Sequence, residues 1–411
     1  MGNRRSVSLS SIPAGKSTRP GNSVVTQLLV AALHPWRSER NSARTKTIVK
    51  TKLIAADRMI VGQYTARSAG TLNYIRPGPK HDSCAKRLKH VVRFVLIRLA
   101  AAYVSLWPLR FASAVGARFG VLAWSIFFGE RKKALDSLAI AFPECAEAER
   151  RALGRASFAH LGRVVCELAC LPELDRSIDT FIDWPAGSRA VLDAALARKR
   201  GVIFVSGHVG HWELLARGVA LAGYPVQVIA REAGDPRTTA FIESMRIAGR
   251  VKSIWRGRPG AAKDMLRAIK RGEILGLLLD QDTKVQSVFV PFFGREARTP
   301  RAAADLALCT GAAVVLGFCQ RVGPTSFRLS MREMPVPAVR GESAVVELTR
   351  ALTQGIEAAI RSNPEQWVWM HRRWRSRPEE QGCLANPQNK TMKAKLFPAA
   401  LVALTITSAC A

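Results

Sequence analysis

Between Gly201 and Arg361 the chain repeats one alternation. Short apolar runs, GVIFVS, PVQVIA, EILGLLL, AAVVLGF and FRLSMREM, are set apart by stretches with helical spacing. The spacing predicts helices from about His211, through Phe241 to Arg246, over Ala261 to Lys270, over Arg301 to Cys309 and over Ser343 to Arg361. Strand, helix and strand in turn predict an α/β fold with a central, largely parallel sheet flanked by helices. In such sheets ligands bind in the crevice outside the carboxyl ends of the strands. Residues at the ends of the apolar runs are therefore the first candidates for chemistry.

The end of the first run is the most suggestive. SGHVGHWELL, residues 206 to 215, holds two of seven histidines, with Glu213 five places after His208. In one continuous helix these two side chains would lie roughly 140° apart and share no face. They can meet if His208 sits on the strand-to-helix loop, which Gly207 and Gly210 ease, and Glu213 in the first helical turn. A histidine held by a carboxylate is a general base, worth roughly 100 to 10,000-fold in rate, and helix-start N–H groups can stabilise an oxyanion. His208 and Glu213 are the expected catalytic pair. HVGHWE is not an HExxH zinc helix, and the eight cysteines form no CxxC pair or metal-ligand spacing, so neither metal nor organic cofactor is expected.

Charge narrows the partners. The chain has 62 Lys and Arg against 31 Asp and Glu, a formal +31, which suits a polyanionic surface, either nucleic acid or acidic headgroups. Residues 1–90 hold 17 of the basic residues and 3 of the acidic ones without a sustained apolar period. This stretch reads as a disordered leader, transit-peptide-like in composition or an over-extended start before Met59. Much of the charge thus lies outside the patterned region, and no nucleic-acid module is recognisable, so no nucleic acid is expected as partner and a basic nucleic-acid-binding protein is the lesser alternative.

Residues 91–128 are apolar and aromatic but are cut by Arg93, Arg98, Arg110 and Arg118. The charge-free runs Leu99 to Leu109 and Phe119 to Gly129 are too short for the ~20 residues of a membrane span. An embedded or interfacial helical hairpin kinked at Pro108 is expected, with Trp107 and Trp124 at the interface; a buried core helix is the alternative. From Ala146 to Leu171 another helix follows, with His160 as a core residue. The tail from Met392 has a short basic start and an apolar stretch, like a secretion signal read through from a neighbouring gene or a hydrophobic anchor. The expected organisation is a basic leader (1–84), a membrane-associated helical segment (85–135), a catalytic domain (136–385) and a hydrophobic tail (386–411).

Several ordered blocks, ERKKALDSLAIAFPE, ERRALGRASFAHLGRVVCEL, VSGHVGHWE, LLLDQD with VFVPFFGREARTP, and PEQWVWMHRRWRSRP, span roughly residues 85 to 380. Through them the chain resembles the bacterial lipid A biosynthesis acyltransferases, the lauroyl and myristoyl transferases of the lysophospholipid acyltransferase superfamily. The resemblance implies a glycerolphosphate-acyltransferase-like fold at the cytoplasmic face of a bacterial inner membrane. It implies transfer of a fatty acyl chain from acyl carrier protein to a hydroxyl of a lipid A precursor. In that reading His208 is the base, Glu213 orients it, Arg246 or Arg231 contacts acceptor phosphate, and Asp280 lies near the active site. A lysophospholipid or another glycolipid as acceptor stays open.

Three blocks keep two readings each. Asp280 and Asp282 are substrate-site carboxylates or turn and capping residues. VFVPFFG, with Phe292, Phe293 and Gly294, lines an acyl channel or is a core strand followed by a turn. The arginines and tryptophans of PEQWVWMHRRWRSRP suit RNA bases or a membrane interface near phosphorylated sugars, and the resemblance favours the latter.

Overall fold

The computed structural model describes residues 84–378. The expected leader and hydrophobic tail lie outside the described residues. Four helices come first: α1 (Cys84–Val104), α2 (Leu109–Ile126), α3 (Phe128–Ala141) and α4 (Glu147–Ala169). The short turns α5 (Leu171–Arg176) and α6 (Ile178–Phe181) lead into β1 (Ile182–Asp183) and α7 (Ala186–Ala197). The alternating part runs β2 (Val202–Ser206), α8 (Trp212–Leu221), β3 (Val226–Arg231), α9 (Pro236–Ala248), β4 (Lys252–Arg256), α10 (Ala261–Lys270) and β5 (Ile274–Leu278). A hairpin of β6 (Ser287–Phe292) and β7 (Arg295–Pro300) interrupts it, before α11 (Ala302–Thr310), β8 (Ala313–Arg321), β9 (Phe327–Met334) and α12 (Glu342–Ser362).

The strands form a seven-stranded sheet in the order β1-β9-β8-β2-β5-β3-β4. From β8 to β4 all neighbours are parallel, while β9 runs antiparallel to β8. The α/β, largely parallel sheet expected from the alternation is present. Strand β2 is buried at all five positions, which accounts for its unbroken apolar run. Its neighbours on either side are β5 and β8, both distant in sequence. That order decides which residues meet at the carboxyl edge.

Helix α2 starts directly after Pro108, so the kink falls where proline permits a helix to begin but not to continue. Its backbone lies close against α4: a Cβ on Gly116 or Gly120 would strike the carbonyls of Gly162 and Phe158. The opposite side of α2 exposes Phe111, Phe119, Leu122 and Ile126, and α1 exposes Leu96, Leu99 and Tyr103. Among the described residues no single helix is long and apolar enough to cross a membrane, although α2 and α3, bent by 93°, pass such a test together. Trp124, expected at an interface, is instead buried against Phe158 with ring centroids 5.2 Å apart. It packs there because α4 offers Gly154 beneath it.

Candidate active site

The ends of the parallel strands bring the candidate residues to one edge. Ser206 of β2 is in register with Leu278 of β5, and the pairing continues through the hydrogen bond from the Leu279 N–H to the Ser206 carbonyl. His208 and Asp280 therefore leave adjacent strands side by side. His208 Nδ1 lies 2.9 Å from Asp280 Oδ1, and the His208 backbone N–H donates to Asp280 Oδ2 at 2.7 Å. The indole Nε1 of Trp367 donates to the same Oδ2, also at 2.7 Å. His208 is 1% exposed and Asp280 2%.

Burial opposes ionisation of Asp280, but the adjacent His208 ring and the N–H donors of His208 and Trp367 outweigh it and hold the carboxyl well below the usual carboxylate range. A carboxylate is an acceptor only, so the proton between the two groups sits on Nδ1 of His208, and a ring that carries no second proton is the tautomer a base needs. Nε2 is then left with its lone pair, the protonation state of a general base.

Here the geometry differs from the expected pairing. The carboxylate on His208 Nδ1 is Asp280, not Glu213. Glu213 does fall in the first turn of α8, but it forms a bidentate ion pair with Arg246, Nε at 3.1 Å and Nη2 at 2.5 Å. Arg246 is itself 5% exposed, on α9 beside the Trp255 ring. The sequence put Glu213 nearest along the chain, whereas the sheet order puts Asp280 nearest in space.

The loop bearing His208 is tied on several sides. Gly210, with φ of 67°, is in the left-handed region, and its backbone N–H donates to the Gln366 carbonyl at 2.9 Å. Its own carbonyl meets His160 Nε2 at 3.1 Å, so the expected core histidine supports this loop from α4. His211 caps α8 by accepting the Leu214 N–H on Nδ1, and its backbone N–H donates to the Cys319 carbonyl. Beneath it Glu167, fully buried, pairs with Arg321 at 2.5 Å and lies 3.8 Å from His211 Nε2. Burial favours the neutral form of Glu167, but Arg321 prevails and keeps its carboxyl low. Sequence reading missed this cluster, whose members are scattered between α4 and β8 with no local motif.

Beside the dyad lies a cleft of about 720 Å³. It is lined by the basic residues Lys133, Arg231, Arg256, Lys284, Arg372 and Arg375, by the acids Glu130, paired with Lys133, and Asp282, near Arg375, and by the apolar Val368 and Met370. Arg231 and Arg256 are register partners at the ends of β3 and β4. Burial first, and then the charge of Arg231, lower the pKa of Arg256. Two arginines held together in this way suit a bidentate anion such as phosphate. Of the two expected phosphate contacts, then, Arg231 lines this cleft and Arg246 lines a separate, apolar pocket under α8 together with Glu213. Gln281 joins dyad and cleft, because it lines the cleft while its Nε2 lies 3.3 and 3.4 Å from the two ring nitrogens of His208.

Of the remaining expected site residues, Asp282 also lines the cleft. It is 3% exposed, lies 3.4 Å from Arg375 Nε and accepts from the Ser376 N–H and hydroxyl at 3.0 and 2.8 Å, so it also anchors the C-terminal segment as a turn residue does. Phe292 and Phe293 are buried among Trp367, Trp369 and Trp374. Phe293 and Gly294, both with positive φ, make the two-residue turn between β6 and β7. Of the two readings of VFVPFFG, core strand and turn is the one observed.

The tryptophan and arginine block is likewise mostly interior. Trp367, Trp369 and Trp374 are buried, and Arg373, 0% exposed, donates to the Arg298 carbonyl and Thr299 Oγ1 and stacks on Phe292. Burial pulls the Arg373 pKa down to about 10. Arg372 and Arg375 face the cleft instead. His371 also lines the cleft, and burial pulls its pKa down to about 4. Among the described residues no group of three or more His, Cys, Asp or Glu is placed to hold a metal ion.

Comparison with known proteins identifies the family. The family described as bacterial lipid A biosynthesis acyltransferase matches residues 82–376. The lipid A biosynthesis lauroyltransferase of Escherichia coli (strain K12) is 30% identical over 273 residues, 64% of this chain and 85% of that protein. The lipid A biosynthesis myristoyltransferase of the same organism is 26% identical over 278 residues, 66% of this chain and 83% of that protein. The phosphatidylinositol mannoside acyltransferase of Mycobacterium tuberculosis (strain CDC 1551 / Oshkosh) is 26% identical over 224 residues, 53% of this chain and 69% of that protein. With a match that runs from α1 past the last tryptophan of the site, the chain belongs to the bacterial lipid A biosynthesis acyltransferase family and is an acyltransferase.

Proposed function

We propose that the protein transfers a fatty acyl chain from acyl carrier protein to a hydroxyl of a lipid A precursor, with His208 as general base. The observation that carries this reading is the buried His208–Asp280 pair at the carboxyl edge of the sheet. Nε2 takes the proton of the acceptor hydroxyl as its oxygen attacks the thioester carbonyl, and the imidazolium so formed is stabilised by Asp280. Collapse of the tetrahedral intermediate breaks the carbon–sulfur bond, and the proton passes to the departing thiolate. Ester and free thiol are the products. Glu213 holds Arg246 and shapes the start of α8, rather than orienting the base. Gln281 is the side chain that must yield for the hydroxyl to reach Nε2.

The basic cleft supports a phosphorylated acceptor, and Val368 and Met370 in its lining are suited to the lipid part of that molecule. The exposed apolar side chains of α1 and α2, together with exposed Arg98, Arg110 and Arg118, fit the interface of an anionic membrane. We place the enzyme accordingly at the cytoplasmic face of a bacterial inner membrane.

The test is transfer of labelled acyl chains from acyl carrier protein to a phosphorylated lipid A precursor. His208→Ala should lower kcat at least ~100-fold, in line with removal of a general base. Asp280→Asn should lower kcat strongly with little effect on KM, since the neutral amide no longer stabilises the imidazolium. Full activity of purified His208→Ala enzyme would refute the mechanism.

A further inference from the structure

Both oxygens of Asp280 are occupied, and the donors are unequal in origin. Oδ1 faces the imidazole of His208, while Oδ2 takes the His208 backbone N–H and the Trp367 indole N–H. The two His208 donors belong to the loop that must be positioned, so by themselves they give the carboxylate no outside reference. Trp367 supplies one. It is 2% exposed and is wedged edge-on against Trp369 at 4.6 Å and Phe292 at 5.7 Å. Its backbone bridges Val209, and the carbonyl of the preceding Gln366 accepts the Gly210 N–H. One short segment thus grips the loop at Val209 and Gly210 and also the acid that faces His208.

We infer that Trp367 is a positioning residue for the acid–base pair: its indole N–H fixes the plane of the Asp280 carboxylate, and so the direction from which the acid meets the imidazole and the orientation of His208. This rests on the reading of His208 as the base. The chemistry favours indole for the task. Trp Nε1–H is a donor only and has no proton to exchange in the working pH range, so it cannot compete with His208 for the proton being moved. A carboxylate buried at 2% exposure has no water to replace a lost donor, and it can turn about its Cβ–Cγ bond to seek another. A rigid ring clamped by two aromatic neighbours denies it that freedom.

The experiment uses the full-length enzyme and the acyl-transfer assay described above. Trp367→Phe deletes the N–H. As a second variant, benzothienylalanine placed at position 367 by stop-codon suppression keeps the bicyclic outline and puts sulfur where the N–H was. Both should lower kcat roughly 10- to 100-fold, the range for a base turned out of line, with KM changed less than about threefold. For the benzothienylalanine enzyme the acid limb of kcat/KM should move to higher pH by at least about half a unit. A carboxylate with fewer donors holds the imidazolium more tightly, so a higher pH is needed to free the base.

An unchanged kcat in the benzothienylalanine enzyme, or a fallen kcat with the acid limb unmoved, would overturn the inference and leave Trp367 a packing residue. His208→Ala in the same assay separates the two questions. If that variant keeps its activity, the assignment of the base fails. If it is inactive while the benzothienylalanine enzyme matches wild type, only the role of Trp367 fails.

Discussion

At the scale of single residues, the site is a matter of which charge each acid neutralises. Asp280 faces an imidazole and Glu213 a guanidinium, and both acids are largely removed from water. The Glu213–Arg246 pair, with side chains 13% and 5% exposed, should behave as a buried ion pair. Glu213→Ala leaves a buried guanidinium short of its carboxylate and should lower folding stability by about 3 kcal/mol. Adding Arg246→Met, which removes the stranded charge, should recover much of that loss. Urea unfolding of the single and double variants measures both, and a single-variant loss below about 1 kcal/mol would contradict the account. The sequence exposed His208 and Asp280 clearly, each just past an apolar run. It could not reveal that they pair, because the neighbour of β2 is β5 and no local pattern records that adjacency. Proximity along the chain favoured Glu213 instead.

At the scale of elements, the strand runs were legible because burial on both faces demands unbroken apolar stretches, as in β2, while β9 shows instead the alternation of a strand with one face exposed. Two blocks with strong composition were misleading for the same physical reason: composition does not tell inside from outside. Trp124 and the tryptophans of PEQWVWMHRRW are interior, since α4 and the β6–β7 hairpin cover them. Arg373 is interior as well, because the Arg298 carbonyl and Thr299 hydroxyl accept its N–H groups and Phe292 lies beneath its guanidinium. Helix α2 is the element whose outer side stays apolar in the folded chain, with Phe111, Phe119 and Leu122 all more than half exposed. If that stripe meets lipid, Phe119→Asp with Leu122→Asp should reduce binding of the full-length protein to anionic vesicles by at least about tenfold. Wild-type binding should also weaken as salt rises, at roughly 1 kcal/mol for each arginine released from the surface. Equal co-sedimentation of variant and wild type would argue against a lipid-facing α2.

At the scale of the whole molecule, three histidines with lowered pKa values make stability depend on pH in a defined direction. Burial is the first cause at His160, His211 and His371, each pulled down to about 4. Above about pH 6.5 these imidazoles are neutral in both folded and unfolded chains, so their contribution is constant. Below it the unfolded chain takes up protons that the native one refuses until about pH 4. Stability should therefore be present in full above pH 6.5 and fall steadily between there and about 4, by up to roughly 3 kcal/mol for a single fully buried imidazole. Denaturant midpoints at pH 8, 6.5 and 5 should show a plateau followed by a drop. A flat profile would mean that these rings are solvated in the native state.

The far reach of the Trp367 indole has a bearing on biosynthesis of the enzyme itself. A nascent chain that has reached Asp280 already owns both members of the dyad, yet the indole that grips the acid lies a further 87 residues on. Full alignment of the dyad therefore waits for a segment that follows every strand of the sheet in the chain.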